Sequence, residues 1–344
     1  MTQPVLFDPG ENLILNIPKR CTTPVHKSVS VNFPARIHIT PIDCNRFDFG
    51  RPGGGGLGFA VKMENFLSVA LNDENIIQGT PEQILLLSHW LLLAKKVFLY
   101  EGNFSISLSL SSLMHQHSGL GSSAVVATAF MQAINILFGE SLEMEEIRRL
   151  IAYNFVEVCD NRLSRGLETG VGTYALLAGG FCMIGDKITP LFASHTLDDH
   201  PILLVQPHIF RPDMDKPESI EMFNRSLELD ESYRYIRAYR SIMDIAPCLY
   251  EGDIDGFGKV IWDFQFAGTH ISMVQAYDGG GIQLYKIMTE LRKAGASVVG
   301  LSSVGPTIFA LAKDLSALRQ IVQSLDCDYF ETEVSGKGVV MINN

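Results

Sequence analysis

Three short stretches hold residues able to act together on an anionic substrate. In HQHSGLGSSA (115–124), two histidines and two glycines lead through serines into an apolar run. A helix start presents free N–H groups and the positive end of its dipole. Gly119 and Gly121 let the backbone approach an anion without Cβ clashes, and Ser122 and Ser123 add hydroxyl donors. His117 is the better placed histidine to donate to the same anion, with His115 on the same side if the loop is extended. Zinc would need a third ligand, and none lies nearby in the sequence. A plain helix cap is the competing reading of this stretch.

The second stretch is RGLETGVGTYALLAGG (165–180), another glycine loop. Arg165 is a candidate grip for phosphate or carboxylate. Glu168 is a candidate for Mg2+ or sugar hydroxyls, with Thr169 beside it; a solvated turn is the alternative. The third stretch runs from 36 to 56. Arg36 and His38 are two apart on one strand and share a face. Arg36 suits phosphate or carboxylate, and His38 is either an anion donor or a satisfied core histidine. Asp43 and Asp48 flank a turn beside Arg51 and Gly53–Gly56. Paired carboxylates there point to Mg2+, with Asp43 preferred, or simply to turn caps. Ser302, Ser303 and Gly305 form a turn open to a ligand's approach, or an ordinary tight turn.

These residues need elements to hold them. The pattern predicts a strand over 28–43 interrupted at Pro34, a glycine loop entering a strand near 51–61, and an alternating strand over 103–114. Helices are expected over 84–100, 121–139 and 142–163. The first carries Thr80 as N-cap, Pro81 at its first position and Gln83 three residues after the cap. The segment 167–185 is left open between helix and strand. A strand at 202–207 and several helices between 217 and 273 follow. The last part reads helix (280–294), strand (297–302), strand (306–312), helix (314–325), strand (328–333) and strand (338–342), two helices on one face of a small antiparallel sheet. The expected boundaries give an irregular arm at 1–27, one domain at 28–192 and a second at 193–344.

Of the 344 residues, 47% are apolar and 19% charged, which suits a sizeable core, and the net charge is −11. No basic stripe marks a nucleic-acid binder. A polyphosphate would have to be held by local donors, since the overall field repels it. The longest apolar stretch, 84–100, contains His89, Lys95 and Lys96 and reads as a buried helix, so no membrane is expected. Six scattered cysteines without a CxxC pair, and no secretory pattern at the start, give the expectation of a reducing, cytoplasmic setting with free thiols. SYRYIRAYR (232–240) has helical spacing and reads as a subunit interface.

GLGSSA (119–124) resembles the phosphate motif of the GHMP kinases. The downstream element that commonly supplies their Asp corresponds here to Thr169-Gly170-Val171-Gly172, with Gly172 at the Asp position. A second family fits more of the chain, about 28–315. PARIHITPIDCNRFDFGRPGGGGLGFAV, His117, RGLETGVGTYALLAGGF and GASVVGLSSVGPTIFALA are similar to the β-ribofuranosylaminobenzene 5′-phosphate synthases, non-kinase members of the GHMP superfamily. The departures are His115 for Pro, GLGSSAV for GLGSGTQ, and Glu168-Thr169 for a Ser-Gly-type pair.

That resemblance implies an α+β, two-domain GHMP fold, with an N-terminal ribosomal-S5-like domain and a C-terminal ferredoxin-like domain. It implies a transferase using phosphoribosyl pyrophosphate (PRPP), Mg2+ and an aromatic or heteroaromatic carboxylic acid, releasing pyrophosphate and CO2, in a homodimer. Arg36, His38, Arg165, Glu168 and Thr169 would be catalytic. His117, Gly119, Gly121, Ser122, Ser123, Arg51, Ser302 and Ser303 would hold the PRPP phosphates, and Asp43 the Mg2+. The competing readings are an ATP-dependent small-molecule kinase and a non-catalytic ligand-binding homologue.

Overall fold

The computed structural model describes residues 5–47, 51–114, 118–211, 220–325 and 327–342. In chain order, β1 (Leu6–Phe7), β2 (Ser28–Pro41), β3 (Gly56–Asn72) and β4 (Ile76–Gln78) precede helix α1 (Pro81–Phe98). Next come β5 (Asn103–Ser109), α2 (Ser122–Leu137), α3 (Met144–Tyr153), β6 (Val156–Cys159), β7 (Arg162–Arg165), α4 (Val171–Ala178), β8 (Phe181–Ile184) and β9 (Pro190–Ser194). The rest is β10 (Pro201–Pro207), α5 (Ile220–Arg240), α6 (Ala246–Glu251), α7 (Ile254–Gln265), α8 (Thr269–Gln275), α9 (Ile282–Lys293), β11 (Val298–Leu301), β12 (Ile308–Leu311), α10 (Ser316–Gln323), β13 (Cys327–Glu333) and β14 (Val340–Met341).

One sheet runs β14-β2-β3-β5-β4, with β8 joined to β3 and β9 to β8. A second, antiparallel sheet runs β11-β12-β10-β13. A small sheet orders β1-β7-β6. This is an α+β fold with each large sheet backed by helices.

Strand β2 is continuous through Pro34, against the interruption expected from sequence. Its register against β3 shifts between Phe33 and Ala35, and a bulge is where a residue without an N–H costs no ladder bond. A second shift between His38 and Thr40 re-aims the strand just beside the candidate histidine. The segment 1–27 is not irregular throughout, because Leu6 and Phe7 pair with Ser164 and Leu163. The strand expected at 338–342 leaves the C-terminal sheet: Val340 and Met341 pair with Asn32 and Val31 of β2. The expected strand 103–114 ends at Ser109.

Helix α1 follows its sequence signal. The Thr80 hydroxyl accepts the Gln83 N–H (3.4 Å), and the Gln83 side chain accepts the Thr80 N–H (3.0 Å). Leu87, Trp90 and Leu93 are fully buried, so the apolar run spends itself on the core. Among the described residues, no helix is long and apolar enough to cross a membrane.

The larger apolar core does not stop at either sheet. Phe59 of β3 meets Phe309 of β12 edge-on at 5.7 Å, and Phe181 of β8 meets Phe257 of α7 at 5.8 Å. A buried ion pair adds a polar lock between the halves. Arg237 of α5 is bonded to Asp230, and its Nε and Nη2 donate to the Ile42 carbonyl at 3.2 and 3.0 Å. Both side chains of the pair are fully buried. Removing one charge of such a pair strands the other. Asp230→Ala is therefore expected to cost about 3–5 kcal/mol in denaturant unfolding; a loss below ~1 kcal/mol would contradict the lock.

Candidate functional site

The candidate anion site lies where the chain turns into α2. Gly121 caps this helix with φ +74° and has no side chain to satisfy its first N–H groups. A Cβ at Gly121 would lie 2.5 Å from Arg36 Nε. The missing side chain thus lets the guanidinium of β2 rest against the helix start, adding a full cation to the dipole's positive end.

The loop before it is clamped by the C-terminal half. Gly119 has φ +85°, and a Cβ there would lie 2.6 Å from the Ser302 carbonyl. The Ser302 hydroxyl donates to the Gly119 carbonyl (2.7 Å) and accepts the His38 N–H (3.2 Å). The Ser303 N–H returns to the His38 carbonyl at 2.7 Å. Thr307 donates from its hydroxyl to the Ser118 carbonyl, and the Gln206 amide donates to that hydroxyl at 2.9 Å. Ser302 is fully buried, so its hydroxyl ties loop to strand and is not presented to a ligand.

The start of α4 supplies the facing wall. Glu168 and Thr169 are buried there. The His38 Nε2 and the Thr169 hydroxyl lie 3.2 Å apart. Glu168 Oε1 accepts the Gly170 N–H at 2.5 Å, and the Glu168 carbonyl accepts the Gly53 N–H at 3.1 Å. A Cβ at Gly56 would sit 2.8 Å from His38 Nε2. The glycine-rich stretch therefore allows the imidazole its place.

Burial sets the protonation of these groups. It holds His38 well below the ordinary histidine range, and the Arg36 charge and His270 push the same way. His38 is accordingly neutral at pH 7. Burial raises the Glu168 carboxyl, against the Gly170 N–H and the charges of Arg36 and Arg148. The resulting site has one cation at a helix start, a neutral imidazole and a desolvated carboxyl.

The structure thus gathers Arg36, His38, Glu168 and Thr169 with Gly119, Gly121 and the Ser302–Ser303 turn. Ser122 and Ser123 open α2 and also line a cavity of about 390 Å3 with Thr80, Gln83, Leu86 and Met114. Arg165 is placed differently. Its guanidinium lies over the Phe7 ring at 5.4 Å and donates to the Tyr153 and Asn12 carbonyls, which ties the N-terminal segment to β7. Arg51 is exposed at the edge of the glycine stretch. Asp43 caps the turn at Cys44–Arg46, accepts the Asn45 N–H at 3.1 Å, and contacts Arg46 at 3.3 Å and Arg234 at 3.4 Å. With two arginines on it, this carboxylate does not suit Mg2+. Among the described residues, no group of three or more His, Cys, Asp or Glu side chains could hold a metal. Asp48, His115 and His117 lie outside the described residues.

Two contributors escaped the sequence reading. Arg148 of α3 is buried, stacks over the Tyr174 ring at 5.0 Å, and donates to Glu145 (2.6 Å) and the Ile188 carbonyl. The available signal was its place on the apolar face of α3, between Ile147 and Ile151. His270 of α8 is buried, adds to the lowering of His38, and carries no motif.

Comparison with known proteins bears on the fold that carries this site. The model of the GHMP kinases N-terminal domain matches residues 85–165, and that of the GHMP kinases C-terminal domain matches 245–332. The chain belongs to the GHMP kinase superfamily. It is 26% identical over 297 residues to the β-ribofuranosylphenol 5′-phosphate synthase of Archaeoglobus fulgidus, covering 81% of this chain and 86% of the relative. The synthase of the same name from Methanocaldococcus jannaschii is 26% identical over 316 residues, covering 81% and 88%. A homoserine kinase of Pyrococcus furiosus is 24% identical over 287 residues, covering 81% and 86%. Among solved structures, the homoserine kinase of Cytophaga hutchinsonii superposes with a TM-score of 0.65 at 18% identity, covering 96% of this chain and all of that one. L. major mevalonate kinase gives 0.64 at 16% identity, covering 92% and 99%. These two share the fold.

Three buried histidines make a pH test possible. Burial lowers His89 to about 4 and His270 to about 3, alongside His38. An unfolded histidine protonates near 6.5, so below that pH the unfolded chain binds protons that the folded chain refuses. Stability is therefore full above about pH 6.5 and falls as pH drops toward 4, by up to ~1.4 kcal/mol per unit for each histidine. Urea midpoints at pH 7.5 and 5 check this; equal midpoints would contradict the buried neutral rings.

Proposed function

We propose that the chain is a PRPP-dependent ribosyltransferase that forms a C-riboside 5′-phosphate on an aromatic or heteroaromatic carboxylic acid, releasing pyrophosphate and CO2. The reading draws on two relatives that are β-ribofuranosylphenol 5′-phosphate synthases by name. It rests most on one position. Gly172 stands where a kinase of this superfamily commonly carries Asp, and a Cβ there would lie 3.0 Å from Ala124 Cβ and 3.7 Å from Arg36 Nε. A carboxylate at 172 would face the reacting groups, and the chain has none there. The nearby Glu168 has one oxygen, Oε1, already engaged by the Gly170 N–H.

The proposed chemistry needs no such base. The bond from ribose C1 to the diphosphate oxygen breaks, its electron pair leaving with the diphosphate. A ring carbon donates a π pair to C1. The bond from that carbon to its carboxyl group then breaks as CO2 leaves, and its electrons restore the ring. No ring proton has to be taken up by the protein. The demand falls on stabilising charge that grows on the diphosphate, which preorganised donors do best. In this reading Arg36 and the first N–H groups of α2 supply those donors. Neutral His38, aligned by Thr169, is suited to a hydrogen bond with substrate rather than to charge neutralisation. Mg2+ belongs to the expected chemistry, but Asp43 does not fit it, and no step here runs through the metal.

The homoserine kinase relative sustains one other reading, phosphoryl transfer from ATP to an alcohol. The two readings separate in one assay. With PRPP and a panel of hydroxybenzoic, aminobenzoic and pyrazole carboxylic acids, pyrophosphate and CO2 should appear in equal amounts. ADP formed from ATP in the presence of an alcohol, without turnover of PRPP, would overturn the proposal. Arg36→Ala should lower kcat/KM for PRPP by roughly 100-fold. Ser122→Ala should weaken PRPP binding by about 10-fold in calorimetry. Unchanged PRPP affinity in both variants would contradict the placement of the diphosphate. Gly172→Asp should not create kinase activity; it forces α4 off α2, at a cost of about 1–3 kcal/mol in stability.

A further inference from the structure

Beside the start of α2 lies the cavity of about 390 Å3, within the ~300–1,000 Å3 usual for small-ligand sites. Leu86, Leu110, Met114, Val126 and Val158 give it apolar walls. Among the described residues, no lysine, arginine or histidine lines it. Ser122 and Ser123 belong both to this cavity and to the helix start against which Arg36 rests. Its other polar residues, Thr80, Glu82 and Gln83, come from the start of α1. Thr80 and Gln83 are bonded to each other, at 3.4 and 3.0 Å. Glu82 is the one charged group among the described lining residues. A hydrogen bond with the Thr80 side chain lowers the Glu82 carboxyl below its ordinary range, so it is an anion at pH 7.

We propose that this cavity seats the ring of the acceptor acid, and that Glu82 accepts a hydrogen bond from an N–H or O–H on the ring edge away from the carboxyl group. The assignment rests on the ribosyltransferase reading of the site. Apolar walls suit a ring face, and without a cation the interior does not suit the acid's own carboxylate. The carbon that bears the carboxyl group must meet ribose C1, so it stays at the serine end, beside the diphosphate. The opposite ring edge then faces the start of α1. There the Glu82 charge repels a carboxylate and attracts an N–H or O–H. As the ring carbon gives its π pair to C1, positive charge spreads to an amino or hydroxyl group on that edge. An anion hydrogen-bonded there stabilises that charge, and loss of CO2 then returns the electrons to the ring. Glu82 thus selects the acceptor and takes up no proton.

Calorimetric titration of para-aminobenzoic acid into the full chain, saturated with inorganic pyrophosphate so that nothing turns over, tests the proposal. The acid should bind. Val126→Phe and, separately, Leu110→Phe should each weaken it at least roughly 10-fold, with circular dichroism unchanged and pyrophosphate affinity within about 2-fold of wild type. Glu82→Gln should weaken para-aminobenzoic acid about 10-fold and leave para-methoxybenzoic acid, which has no N–H or O–H on that edge, within about 2-fold. In turnover with PRPP, the same variant should lower kcat for para-aminobenzoic acid about 10-fold. Acid binding that survives both phenylalanine variants, equal losses for the two acids in Glu82→Gln, or adenosine taking the cavity in place of either acid would each overturn the proposal. Failure of every acid to release pyrophosphate from PRPP would sink the ribosyltransferase reading alone, since the binding measurements judge the cavity without turnover.

Discussion

A single buried hydroxyl joins the parts that the site depends on. Ser302 donates to the Gly119 carbonyl and accepts the N–H of His38, so one oxygen fixes the anion loop, strand β2 and the turn after β11. The Ser303 N–H and the Thr307 hydroxyl close the same contact from either side. The loop that would meet a diphosphate is therefore not a free turn on the N-terminal sheet. Its shape is set from the C-terminal half, chiefly through the fully buried Ser302 and Thr307. Glycine at 119 is required twice, by its positive φ and by the nearness of the Ser302 carbonyl.

Once the loop is fixed, electrostatics follow from what is buried. Arg36 reaches the start of α2 because Gly121 has no side chain. Its charge then acts on its neighbours, adding to the burial that lowers His38 and opposing the burial that raises the Glu168 carboxyl. In the proposed reading, a site with Arg36 against the start of α2 is suited to a leaving group that gains charge. It is less suited to an alcohol that must lose a proton. Gly172 belongs to the same logic, since the close approach of α4 to α2 leaves little space for a larger side chain.

Much of this arrangement could be read in the residues, because local physics dictated it. Thr80, Pro81 and Gln83 announced α1. GLGSSA announced the start of α2, and the Arg36–His38 spacing put both side chains on one face. What could not be read was what other segments bring to a position. Ser302 was expected to touch substrate, yet its hydroxyl is consumed by two partners far away in sequence. Arg165 was expected in the site, but Phe7 and the Asn12 carbonyl claim it, and nothing local to RGLE shows that. Asp43 had the look of a metal ligand until Arg234 of α5 arrived beside it. Pro34 looked like a break, and a bulge absorbed it. The last strand looked like part of its neighbours' sheet and instead returns to β2. Each miss is a long-range contact overriding a local pattern.

The central claim is that the start of α2, with Arg36 against it, holds the diphosphate end of a sugar diphosphate. A crystal structure of the full chain with PRPP tests it most directly. The account predicts diphosphate oxygens within about 3 Å of the N–H groups following Gly121 and of the Arg36 guanidinium. A diphosphate seated elsewhere, with that helix start facing only solvent, would contradict it.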